Sequence, residues 1–233
     1  MIEVKELRAL RGPNRHTRHT AIFMVLDIKA YEDLPSDKID GFSDRLLTLM
    51  PTLQEHGCSI GKPGGFIQRL QTGTWAGHII EHIAIELQCL AGMEVGYGKT
   101  LDTSKKGIYI VVFRYLVESA GLKAAKEAVS LFEAVAQEKS FDVSQTISEL
   151  KVLREDHMLG PTTWSIVKEA KYRGIPFIRL NDDSHIQLGY GANQKQIQAS
   201  ITCHTSAIAV ETADEKTRVK SYLKRSGIPV PSG

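Results

Sequence analysis

The sequence predicts an α+β domain, a mixed or antiparallel sheet covered by helices, followed by an α/β segment that reads as incomplete. Three observations lead there. Residues 2–10, 20–28 and 108–116 are rich in branched and aromatic residues and read as strands, the last so continuously apolar that it suits a central strand buried on both faces. Between and after them, apolar residues recur at helical spacing. Beyond Leu159-Gly160-Pro161 the pattern changes to a helix followed by short strands, the grammar of an alternating unit. Residues 1–159 are therefore expected to form one domain and residues 160–233 the opening of a second.

Taken in order, the first two strands should pair, and RGPNRHTRH between them is a basic turn-forming loop. Its arginine forks could grip a carboxylate-bearing ligand, or the loop could simply be solvated. GFSDRLLTLMPTL reads as a short helix closed by Pro51 and leads into the glycine-rich loop EHGCSIGKPGGF. A helix over 74–92 follows, then the turn-rich connection MEVGYGKTLDTSKKG and the central strand. Leu122, Ala125, Val129, Phe132 and Val135 mark a helix over 119–138, and Ile147, Leu150 and Leu153 another over 144–157. In the second segment TTWSIVKEAKYRG is a helix with a threonine cap, IPFIRL and HIQLGYG are strands around an NDDS turn, and 214–225 is a basic helix before the extended GIPVPSG.

The helix over 74–92, TWAGHIIEHIAIELQCLAG, carries the chemistry. Thr74 is placed to cap it and Gly92 to stop it in the left-handed conformation, while Ile79, Ile80, Ile83, Leu87 and Leu90 face a core. His78 and His82 lie one turn apart on one face, with Glu81 beside them and Glu86 a turn further on. The order His-x-x-Glu-His supplies two imidazole ligands for zinc and leaves a carboxylate free, so Glu81 is the candidate general base for hydrolysis of an amide. A third ligand should come from the glycine-rich loop or the helix itself: Cys58 first, as a thiolate, then His56, then Glu86. The competing reading is a helix whose histidines only pack.

Composition narrows the partners. With 233 residues, 42% hydrophobic, 24% charged and a net charge of +2, the chain lacks the basic bias of a nucleic-acid binder, and no nucleic-acid partner is expected. No apolar run approaches the ~20 residues of a membrane span, so no membrane partner is expected either. Three widely spaced cysteines, Cys58, Cys89 and Cys203, fit a reducing compartment and a cytoplasmic protein.

The motifs RGPN, EHxCSxGxxGGF, GTxxGHxxEHxAxELQ, LGPxT, QLGYGxxQxxIQA, TSAIAVE and GIPVP occur in this order across essentially the whole chain. In kind and spacing they resemble the N-terminal portion of the cyanophycin synthetase family. The resemblance implies an N-terminal domain followed by the start of an ATP-grasp ligase domain, in an enzyme that adds aspartate and arginine to the polymer cyanophycin using ATP and magnesium. It implies that the first 160 or so residues hold the polymer, that the His-x-x-Glu-His helix is in some members a hydrolytic site cutting polymer into primers, and that the full-length protein is a homo-oligomer. Lys216 and Lys220 match positions that would face nucleotide phosphates, although Val219 stands where a threonine is usual. On this resemblance the 233 residues alone are expected neither to hydrolyse ATP nor to extend polymer.

Overall fold

A computed structural model describes residues 1–231; the last two positions of the GIPVPSG segment lie outside the described residues. Two compact units divide the chain, one spanning Met1–Met158 and the other beginning at Leu159.

The first unit is built on four strands, β1 (Glu3–Leu10), β2 (Ala21–Asp27), β3 (Gly98–Asp102) and β4 (Ile108–Arg114), in the order β1-β2-β4-β3. Every neighbouring pair is antiparallel, so the sheet is not mixed. β2 and β4 are the inner strands, and the period-two alternation of strand side chains sorts their residues. Ile22, Met24, Leu26, Val111 and Phe113 enter the main core, while Ala21, Phe23 and Val112 form a small cluster on the opposite face. Arg8 of β1 and Arg15 of the basic loop after it cover part of that face, their guanidinium groups 5.0 and 6.0 Å from the Phe23 ring centre.

Helices α1 (Phe42–Leu49), α2 (Gly65–Thr72), α3 (Ala76–Leu90), α4 (Glu118–Ala136) and α5 (Val143–His157) complete the unit. Ile79, Ile80, Ile83 and Leu87 of α3 share one core with Ala120, Ala124, Ala128 and Leu131 of α4 and with the sheet. Small alanines on α4 let the two helices pack closely. α3 is buried over almost its whole length, which explains why its apolar residues fall all around it rather than on one stripe.

Two expectations for this unit need correction. The connection 93–107 contains β3, a five-residue edge strand whose sequence GKTLD has too few apolar residues to show alternation. Thr74 is not the cap of α3: Trp75 occupies that position without a side-chain cap bond, and the Thr74 hydroxyl turns instead to His78. Gly92 does adopt the left-handed conformation, at φ 81°.

In the second unit α6 (Pro161–Tyr172) starts from Gly160 with proline in its first turn, not from a threonine cap; a first-turn proline has no N–H to satisfy and a preset φ. β5 (Phe177–Arg179), β6 (His185–Leu188), β7 (Lys195–Gln198) and β8 (Ile201–Thr202) form a second antiparallel sheet in chain order. The expected alternating α/β unit is thus corrected, because short turns join successive strands and a parallel pairing would need a crossover of a dozen residues or more. Val167, Ile186 and Ile197 make its small core. α7 (Ala207–Asp214) and α8 (Lys216–Arg225) bury no residue fully.

Candidate metal centre

One face of α3 turns away from the core and forms the wall of a cleft of about 600 Å³, lined also by the glycine-rich loop and by β3. The loop is held against the start of α2 by backbone bonds, Phe66 N–H donating to His56 O at 3.0 Å and Gly64 N–H to Gln54 O at 2.8 Å. Gly65 permits that approach: a Cβ there would stand 2.0 Å from the carbonyl oxygen of Gly57. The loop in turn presents Cys58, a residue with a left-handed φ of 48°. Such a conformation in a non-glycine residue costs on the order of 1 kcal/mol and persists where the surroundings hold it.

Cys58, His78 and His82 converge, each offering a ligand atom within 4.8 Å of the others. Cys58 Sγ lies 3.2 Å from His78 Nε2, and the Thr74 hydroxyl lies 2.9 Å from His78 Nδ1. His82 Nδ1 meets His56 Nδ1 at 2.8 Å, and His56 Nε2 meets Glu86 Oε2 at 2.6 Å. The Phe66 ring stacks on His82 with centroids 4.1 Å apart. Burial, helped by Arg69, pushes the His78 imidazole down to about 4, and burial with the neighbouring rings of His78 and His56 pushes His82 down as well. Both rings are therefore neutral near pH 7, the state in which imidazole binds a metal.

The hydrogen bonds decide whether these residues fit a metal. Glu86 is held ionised: burial pushes its carboxyl up, but bonds from His56 and Thr52 outweigh it. An ionised Glu86 accepts from His56 Nε2–H, leaving His56 Nδ1 to accept from His82 Nδ1–H. His82 Nε2 then carries a lone pair. In the tautomer in which His78 donates Nδ1–H to the Thr74 hydroxyl, its Nε2 carries one too. The Cys58 sulfur and two Nε2 lone pairs offer a three-ligand set of the kind a zinc site with an open position uses, the thiol giving up its proton on binding metal.

Glu81 is 5% exposed and lines the same cleft. The Thr100 hydroxyl on β3 donates to its Oε2 at 2.6 Å. Burial raises the Glu81 carboxyl to about 7, with the Thr100 bond opposing. β3 can come this near because residue 98 is glycine; a Cβ there would sit 2.3 Å from Glu81 Oε1. Neither Thr100 nor Gly98 could be found by reading the helix, since their link to it spans some twenty residues of chain.

Of the other candidates, His56, weighed above with Glu86 as a third ligand, stands beside the cluster and bridges Glu86 to His82. Arg11 of the basic loop is forked onto Glu118, with N–O distances of 2.8 and 2.9 Å, and Arg15 faces His16. Lys216 and Lys220 sit on successive turns of α8 in the second unit, Lys216 exposed and Lys220 half-buried. Among the described residues no helix is long and apolar enough to cross a membrane.

Fold and cluster together define an α+β domain with an antiparallel sheet, in which a loop thiol and two imidazoles of the buried helix α3 face a cleft. Residues 23–137 match the cyanophycin synthase-like N-terminal domain. Over its whole length the chain is 44% identical to the cyanophycin synthetases of Trichormus variabilis and Geminocystis herdmanii and 40% identical to that of Synechocystis sp.. The chain is thus related to the N-terminal portion of cyanophycin synthetases, as the ordered motifs implied. It spans only about a quarter of these relatives, 26 to 27% of their length.

Proposed function

We propose that the first unit holds cyanophycin and hydrolyses it at a zinc centre formed by Cys58, His78 and His82, with Glu81 as general base. The observation that carries this reading is the convergence of three donor atoms within 4.8 Å, two of them imidazoles whose other nitrogens are already engaged. Zinc there would supply the Lewis acidity that activates water and polarises the amide carbonyl. Glu81 would take the proton of the attacking water and return it to the leaving amine. Thr100 holds one carboxylate oxygen in place, and α3 keeps the base and the two histidine ligands on one rigid element.

The relatives are named for synthesis of the polymer. We place this activity within an ATP-dependent ligase that adds aspartate and arginine, in which the 1–159 domain binds polymer and generates primers. Residues 160–233 are then the beginning of an ATP-grasp domain, and Lys216 and Lys220 of α8 the candidates for nucleotide phosphates. ATP and magnesium are cofactors of that whole enzyme, which assembles as a homo-oligomer. A second reading, in which the first unit is a non-catalytic polymer-holding or assembly module with structural histidines, draws on the Phe66, His56 and Glu86 contacts that also satisfy His82 without a metal.

The test is direct. The purified chain is assayed for bound zinc and then incubated with cyanophycin. Stoichiometric zinc together with soluble fragments supports hydrolysis; binding of polymer with neither zinc nor fragments supports the holding module.

A further inference from the structure

A buried relay stands behind the proposed ligands. Glu86 lies one turn beyond His82 on α3, and His56 reaches over from the glycine-rich loop to lie between them, touching Glu86 Oε2 at 2.6 Å through Nε2 and His82 Nδ1 at 2.8 Å through Nδ1. Neither is placed as a ligand in the cluster, and Glu86 is only 6% exposed. A carboxylate kept in the interior normally needs a partner, and the partner here is an imidazole that passes the interaction on. We propose that Glu86 and His56 are positioning residues that fix the tautomer and ring orientation of His82, so that its Nε2 faces the metal. The inference rests on the metal reading above.

Ligating histidines commonly donate their second N–H to a carboxylate, which orients the ring and raises its basicity. Here the carboxylate acts through one intervening imidazole. The chain of donors has a single consistent direction: His82 Nδ1–H to His56 Nδ1, then His56 Nε2–H to Glu86. Without an acceptor at His56, His82 could shift its proton to Nε2 and would then have no lone pair for the cluster. Phe66 limits the alternatives further, because its ring lies nearly parallel to that of His82, at 22°, and restricts rotation about the side chain.

Zinc affinity of the 233-residue chain, measured by competition with a chromogenic chelator, tests this. His56→Ala should weaken binding roughly 10- to 100-fold. His56→Gln, whose side-chain oxygen can accept from His82 Nδ1–H, should recover most of the loss. Glu86→Leu should weaken binding and Glu86→Gln, which keeps an acceptor for His56, should do so less. Melting of each metal-free variant checks that the fold remains, and the Ala/Gln contrast is unmoved by a merely structural role. If the parent binds zinc and His56→Ala binds it equally well, or if His56→Gln is no better than His56→Ala, the relay is refuted while the metal centre stands. If the parent itself binds no zinc, both readings fall.

Discussion

Thr100 of the edge strand β3 donates its hydroxyl to Glu81 of the buried helix α3 at 2.6 Å, across nineteen positions of sequence. This bond ties the proposed base to the sheet. Glu81→Gln keeps size and hydrogen bonding but removes the proton acceptor, so cyanophycin cleavage should fall by roughly a hundredfold or more while zinc stays bound. Thr100→Val should lower cleavage less, through loss of orientation alone. Equal cleavage by Glu81→Gln and the parent would exclude Glu81 as base.

The ligands should behave differently from the base. His78→Ala, His82→Ala and Cys58→Ser each remove a donor, and each should lose zinc and cleavage together, by more than the roughly 10- to 100-fold expected of an outer partner. Zinc should also be released on acidification, as protons compete for the thiolate and imidazoles. Metal analysis of each variant, and of the parent titrated from pH 8 to 5, reads this; full zinc content in His78→Ala would remove it from the ligand set.

Burial raises the Glu81 carboxyl from its ordinary 4.5 to about 7. Between these values the fold binds more protons than the unfolded chain, so the group's stabilising contribution is complete below about pH 4.5 and is lost as pH rises through 7. In metal-free protein, Glu81→Gln should therefore melt higher than the parent at pH 8, by on the order of a few kcal/mol of stability, with the gap closing toward pH 5. A gap independent of pH would mean that Glu81 is not buried as described.

Gly65→Ala places a Cβ 2.0 Å from the carbonyl of Gly57, a backbone atom with little room to yield. We expect a loss of roughly 1–3 kcal/mol, read as a melting temperature lower by several degrees. Zinc affinity should fall as well, because the displaced loop carries His56 and Cys58. Unchanged melting and zinc binding would show that the loop is not positioned by this contact.

Much of the first unit was legible because its signals are local. The strands 2–10 and 20–28, the central strand 108–116 and the helices near 119–138 and 144–157 appear within a residue or two of their expected places, since apolar periodicity over such lengths has one good solution. The second unit was less legible. Its strands have two to four residues, too few for a period to show, and the order of helix then strands suggested alternation where the chain makes an antiparallel meander. The short edge strand β3 escaped for the same reason.

At the cleft, sequence spacing alone placed His78, Glu81 and His82 on one helical face, because an i, i+3, i+4 relation follows from the 3.6-residue turn whatever the rest of the chain does. It ranked Cys58 ahead of His56 and Glu86 as third ligand on ligand chemistry, without showing where any of them lies. Only tertiary structure separated them, bringing the Cys58 thiol to 3.2 Å from His78 and turning His56 toward Glu86. That choice depends on where the glycine-rich loop crosses α3, which is set by the close approach of Gly65 to Gly57 and by the packing of Phe66 on His82. These are long-range contacts between segments, and no local periodicity encodes them.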